Sequence, residues 1–129
     1  YSSEIARGLD IFELTPTQNL SQNEIDAAKA VRVIELNVQT QEKTAWPRKL
    51  VVAKAYVDQL ERSHTVTSER LEALRQAIQK AEDSRLDRND VKELKKLGSS
   101  LEKSSGTAKN GADSARLQAL AEILKQPVL

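Results

Sequence analysis

The chain has 129 residues, with 20 basic and 19 acidic side chains, a net charge of +1, one histidine and no cysteine. Disulfides, thiolate-held metals, iron–sulfur clusters and covalently attached haem are therefore excluded, and a lone His64 removes the usual His-based metal and catalytic sets. The charge balance argues against a dedicated nucleic-acid binder, which carries a strong basic excess, and no apolar run approaches the roughly 18 residues of a membrane span.

Ile, Leu, Val and Phe together number 32. That is enough for a folded core, but a thin one. The first residue is Tyr rather than Met, so the numbering is expected to start inside a longer product. Leu9 and Ile11 alternate with Asp10 and Phe12, and Leu14 follows Glu13. This predicts a short strand, preceded by a turn at Ala6-Arg7-Gly8 and paired with Tyr1 to Ile5. Gly8 tolerates the positive φ that such a turn needs. A single hairpin is marginal alone, and no second strand pair follows. The hairpin thus either folds back on the helices or, as is favoured, belongs to a sheet outside this chain.

Residues 15–45 read as a linker holding one short helix. Pro16 ends the strand. Ser21 and Glu24 have capping-box spacing, and Ile25, Ala28 and Val31 or Arg32 continue a helical face to about Ala30. Residues 33–45 are expected to be extended or irregular.

From Trp46 onward the pattern is helical. Pro47 suits the first helical position. Leu50, Ala53, Val57 and Leu60 form one stripe, which predicts a helix over 47–63. Thr67 reads as the N-cap of a helix over 68–83, with Val66 and Leu71 at staple positions and Leu71, Leu74, Ile78 and Ala81 as its stripe. Asp87 can cap the next helix, with Asp90 in its first turn and Val91, Leu94, Leu97 and Leu101 on its buried face. Gly98 interrupts that pattern, either ending the helix early or weakening it. Asp113 reads as the cap of a last helix over 114–126, with the stripe Leu117, Leu120, Ala121 and Leu124, stopped by Pro127.

The expected fold is mainly α: an antiparallel helical bundle of about four helices over 46–129, preceded by the β-hairpin of 1–14 and the irregular linker of 15–45.

Candidates for chemistry are few. His64 lies in a turn near Glu61 and Asp58, but no nucleophile or orienting group sits at a defined spacing. The carboxylate pairs Glu69 with Glu72, Glu82 with Asp83 and Asp87 with Asp90 lie among Arg75, Lys80, Arg85 and Arg88, as expected of caps and solvated faces. The run Asp83 to Asp90 is oxygen-rich but lacks the glycine and terminal glutamate of a calcium loop. Lys92, Lys95, Lys96 and Lys103 are interleaved with Asp90, Glu93 and Glu102 and read as a solvated face. Residues 1–44 carry 4 basic and 7 acidic groups, and 45–129 carry 16 and 12, so the two parts differ in sign. Trp46 reads as a hinge anchor packed on the first helix, or as a hot spot for a protein contact.

The segment Tyr1-Ser2-Ser3-Glu4-Ile5-Ala6-Arg7-Gly8-Leu9-Asp10-Ile11-Phe12-Glu13-Leu14 resembles the closing blade strands of bacterial secreted β-propellers of the LVIVD-repeat type. Leu20-Ser21-Gln22-Asn23-Glu24-Ile25-Asp26-Ala27-Ala28-Lys29 is similar to the segment that follows those propellers, and Trp46-Pro47 with the later helices to their C-terminal helical extension. The propeller itself is not in this chain. The resemblance implies an extracytoplasmic protein, periplasmic or secreted, and no catalytic residues.

The expected function is that of a non-enzymatic structural and protein-interaction module, the C-terminal helical part of a larger extracytoplasmic protein. Its partner would be the rest of its own polypeptide or a neighbouring subunit, with no nucleic acid and no membrane-spanning segment. No catalytic, cofactor or metal residues are assigned; the interaction candidates are Leu9, Ile11, Phe12, Leu14 and Trp46. The alternative is a subunit of a homo-oligomer or filament that completes its hairpin with a neighbouring chain. A small enzyme or ligand carrier has only His64, Glu61 and Asp58 to draw on.

Overall fold

Ser21 accepts a hydrogen bond from the Glu24 N–H at 3.2 Å, and Glu24 returns one by accepting from the Ser21 N–H at 2.7 Å. This reciprocal cap opens helix α1, Gln22–Ala30. The structure, a computed structural model, describes residues 2–4, 8–32, 39, 43–106, 108 and 110–129. It is mainly helical: α1 is followed by α2 (Leu50–Arg62), α3 (Ser68–Asp83), α4 (Arg88–Ser105) and α5 (Gly111–Lys125). Ahead of them, β1 (Ser2–Glu4) and β2 (Gly8–Asp10) pair antiparallel with Ser3 opposite Leu9.

The strand expected to reach Leu14 ends at Asp10. Gly8 lies in β2 with φ +89, rather than in a turn before it, and Ala6 and Arg7 fall outside the described residues. Among the described residues, Ile11 to Leu14 have no strand partner. Thr17 and Leu20 then exchange backbone hydrogen bonds of 2.8 and 3.2 Å, and this tight turn reverses the chain into α1. Most of the crossing segment expected over 33–45 also lies outside the described residues; 43–48 have no helix or strand.

α2 begins at Leu50, later than Pro47 would allow. The backbone of 48–50 is engaged elsewhere. Leu50 N–H donates to the Val128 carbonyl, and Val128 N–H donates to the Arg48 carbonyl, both at 2.9 Å. Lys49 is thereby held extended and caps α2 without a side-chain bond. The C-terminal residues thus clasp the start of α2. At its other end, α2 stops in a Schellman motif: Thr65 N–H reaches the Leu60 carbonyl, and His64, at φ +52, donates to the Glu61 carbonyl. α3 ends in the same way, with Leu86 on Ala81 and Arg85 on Glu82.

The core follows the predicted stripes. Leu50, Ala53, Val57 and Leu60 of α2, Leu71, Leu74, Ile78 and Ala81 of α3, Leu94 and Leu101 of α4, and Leu117, Leu120, Ala121 and Leu124 of α5 are all buried. Val91 and Leu97, expected on the buried face of α4, are only partly covered. α2 is the central element. It packs on α1, α3 and α5, so Val52 and Ala55 are buried as well as its predicted face. In α1 the buried residues are Ile25 and Ala27; Ala28, expected inside, is exposed, because the α1–α2 contact falls one residue earlier on the helix.

α4 does not stop at Gly98. It runs through it, and the reason is packing: a Cβ there would lie 2.9 Å from the Ala121 carbonyl oxygen and 3.2 Å from Leu124 Cβ. The missing side chain lets α4 approach α5 closely, and these two helices share the most extensive contact of the fold. α5 starts at Gly111, not at 114. Its cap is Asn110, whose Oδ1 accepts from the Asp113 N–H at 2.7 Å. Asp113, expected as the cap, is instead buried inside the first turn.

Candidate interaction surface

A groove of about 320 Å³ runs between α1 and α2. Small side chains, Ala27 and Ala55, shape its floor with Val52, and Leu20, Trp46 and Tyr56 line its sides. Trp46 stands 48% exposed. It lines the groove together with Glu24, Ala27 and Ala28 of α1, and the rest of its ring meets solvent. Ala28, the residue turned away from the core, lines the same groove.

The polar border of this groove is a chain of hydrogen bonds. Arg62 forks onto Glu24, with Nη2 to Oε1 at 2.6 Å and Nη1 to Oε2 at 3.0 Å. Gln59 Nε2 also donates to Glu24 Oε1 at 3.0 Å. Gln59 Oε1 in turn accepts from Arg116 Nε at 3.1 Å, and Arg116 Nη1 donates to Asp113 Oδ1 at 2.7 Å. Asp113 Oδ2 accepts from Thr65 and from Asn110. One polar strand thus links α1, α2 and α5. Burial would raise the Glu24 carboxyl, but the bonds from Arg62, the Ser21 backbone and Gln59 outweigh it and hold the group at about 2. Thr65 above all, with Arg116, Asn110 and Ser63, holds Asp113 at about 2 against its burial. Burial pushes the Tyr56 hydroxyl up, and the nearby Arg116 charge partly opposes this. Among the described residues, no buried side-chain nitrogen or oxygen lacks a partner.

The second apolar feature precedes α1. Ile11, Phe12 and Leu14 are 72, 71 and 69% exposed. Three large apolar side chains within four residues form a continuous solvent-facing segment. Leu9 is part of β2, and its side chain falls outside what the structure describes. The structure therefore brings Trp46 to a groove and leaves Ile11, Phe12 and Leu14 together on a separate segment. Sequence reading missed the groove itself. Its signal was the pair of small residues, Ala27 and Ala55, on facing helices.

The other candidates fall into structural roles. His64 is the left-handed residue of the α2 terminus. Its neighbours Glu61 and Asp58 are both held by Arg75, at 2.5 and 3.5 Å, and the Arg75 hydrogen bond keeps the Glu61 carboxyl below its ordinary range. Asp87 caps α4 by accepting from the Asn89 N–H. Asp90 pairs with Lys80 at 2.9 Å. Bonds from Ser84 and Lys80 lower its carboxyl. No group of three metal-ligating side chains converges among the described residues. The lysines of α4 do not pair with the carboxylates interleaved with them. Glu93 turns to Lys80 and Glu102 to Lys125, and Lys92, Lys95, Lys96 and Lys103 line an open outer face. Among the described residues, no helix is long and apolar enough to cross a membrane.

Compared with models of known families, with curated proteins and with solved structures, the chain matches none.

Proposed function

We propose that the chain is a non-enzymatic helical interaction module that works by covering its exposed apolar segment and groove with a partner. The observations that carry this reading are the apolar side chains of Ile11, Phe12 and Leu14, open to solvent, and an apolar groove lined by Trp46. Exposed apolar surface of this kind marks contact sites, and Trp is enriched among contact hot spots.

The resemblance of residues 1–30 to the end of LVIVD-repeat propellers gives the reading one specific form. The helices make an antiparallel up-and-down bundle at the C-terminal side of a larger extracytoplasmic protein, and β1 and β2 extend as a hairpin of a sheet outside this chain. In that form, Leu9, Ile11, Phe12 and Leu14 contact the rest of the polypeptide or a neighbouring subunit.

The test is accessibility in the full chain. Hydroxyl-radical footprinting should label Phe12, and acrylamide should quench Trp46 readily in the monomer. Both should become protected in the assembled state. Protection of both residues in an isolated monomer would sink the reading.

A further inference from the structure

The outer face of α4 carries a row of cations without counterions. Lys92, Lys95, Lys96 and Lys103 are exposed and line a shallow depression with Ser99 and Ser100 between them. At 3.6 residues per turn the four lysines fall within about 100° of the helix circumference, and the row from Lys92 to Lys103 is about 16 Å long. Among the described residues, none of the four pairs with a carboxylate.

The acids of α4 are drawn off to the sides. Glu93, on one side, reaches Lys80 of α3 at 3.5 Å, and the buried Asp90 reaches the same lysine at 2.9 Å. Glu102, on the other side, pairs with Lys125 of α5. Arg70 of α3 adds a fifth cation at the edge of the row. Its Nη1 donates to Ser104 Oγ at 3.0 Å and its Nη2 to Ser100 Oγ at 2.9 Å. The guanidinium is thus fixed on hydroxyls, with no carboxylate beside it among the described residues. Like charges three and four residues apart on a helix repel one another. The row is therefore a standing cost to α4 that an outside anion offsets.

We propose that this row docks an acidic polypeptide segment, a run of aspartates and glutamates on a partner protein. The inference goes beyond the reading above. It uses neither the apolar groove nor Ile11 to Leu14, so each can fail without the other.

Shape and chemistry select this anion. The row is one helix wide, and Glu93 and Glu102 stand exposed along its two sides. A lipid plane or a nucleic-acid duplex, both wider than one helix, would be pressed against those carboxylates. A single extended segment lies between them. The apolar side of α4 is turned inward at Leu94 and Leu101, so the row offers no apolar side chain to enter a bilayer. The helix has no aromatic residue on which a base could stack. Lysine brings mobile point charges without the fork that grips phosphate in a bidentate way, which suits carboxylates on a flexible chain.

The experiment is fluorescence anisotropy of a dye-labelled oligoglutamate peptide titrated with the full chain. Saturable binding is expected at low salt, weakening as salt rises. Lys92→Gln with Lys96→Gln should raise the dissociation constant roughly fivefold. Ser99→Glu, which sets a carboxylate in the middle of the row, should weaken binding as well. If circular dichroism shows lost helix in one of these variants, the other decides. Lys29→Gln with Lys49→Gln removes the same charge from the basic hollow beside Pro47. Among the helices, α1 packs on α2 alone, and this matched pair should leave the dissociation constant within about twofold, because charges farther apart than a Debye length are screened.

No anisotropy change at low salt would overturn the proposal. Equal losses in the two double variants would overturn it too, since binding would then follow total charge rather than this row. Tighter binding to phosphatidylserine vesicles or to duplex DNA at the same salt would give the row to lipid or nucleic acid and end the polypeptide assignment.

Discussion

Thr65 Oγ1 donates to Asp113 Oδ2 over 2.6 Å, and this contact joins the turn that ends α2 to the first turn of α5. Asp113 also receives Asn110 and Arg116, so three side chains from two distant parts of the chain converge on one buried carboxylate. Removing it leaves their donors without an acceptor. Asp113→Ala is expected to lower unfolding free energy by about 2–4 kcal/mol. Thr65→Val, which removes one donor only, should cost about 1 kcal/mol. Urea unfolding of the two variants checks both values, and equal losses would mean that Thr65 is the whole of the effect.

Acid should unfold the protein through the same residues. Glu24 and Asp113 titrate at about 2 in the folded chain, against ordinary values of 4.5 and 3.8. Between those limits the unfolded state binds more protons, so stability falls as pH falls. The contribution is complete above about pH 5 and is lost progressively toward pH 2, on the order of 2 kcal/mol for each group. Denaturation midpoints measured from pH 6 down to pH 2 should drop steadily. In the variants Glu24→Gln and Asp113→Asn the slope should flatten, at the cost of lower stability at neutral pH.

Gly98 separates helix propensity from packing. Alanine at a helix interior is usually favoured over glycine by roughly 1 kcal/mol. At Gly98 the added Cβ would press on the Ala121 carbonyl oxygen at 2.9 Å, and this is backbone that cannot swing aside. Gly98→Ala should therefore destabilise, by about 1–3 kcal/mol. Gly106→Ala, where a Cβ meets nothing within 4 Å, should be neutral or slightly stabilising. Thermal melts of the pair decide it: a gain at both positions would show that α4 and α5 sit farther apart.

Those same positions show what could be read from the residues alone. The stripes of α2, α3 and α5 were legible because burial against a neighbour imposes a 3.6-residue period that any core helix must obey. The Ser21–Glu24 cap was legible because both partners lie within one turn. The start of α2 was not, because Lys49 is held extended by Val128, far along the chain. Asn110 and Asp113 are both cap residues, three positions apart as in a capping box, and what decides between them is that Asp113 answers to Thr65, again a distant residue. The groove was invisible for the same reason. It exists only where Ala27 of α1 lies against Ala55 of α2, and a single-segment pattern cannot report which small residues will face each other. Ile11, Phe12 and Leu14 are legible as an apolar run, but β2 ends at Asp10, since an alternating pattern makes a strand only where a partner supplies hydrogen bonds.

His64 is the residue for which a chemical and a structural role make opposite forecasts. It occupies the left-handed position of the α2 terminus at φ +52, where the Thr65 N–H reaches back to the Leu60 carbonyl. A side chain there costs roughly 1 kcal/mol relative to glycine, which reaches this conformation without steric penalty. Glycine also gains freedom in the unfolded chain, which offsets part of that gain. His64→Gly is therefore expected to raise the unfolding free energy by up to about 1 kcal/mol, and Arg85→Gly, at the matching position after α3, by a similar amount. His64→Pro should destabilise strongly, because it forbids the positive φ and removes the N–H that donates to Glu61. Chemical denaturation of the three variants checks the order. A loss of stability in His64→Gly would mean that the imidazole makes contacts that outweigh the strain of its backbone, and the residue would then need a role beyond ending the helix.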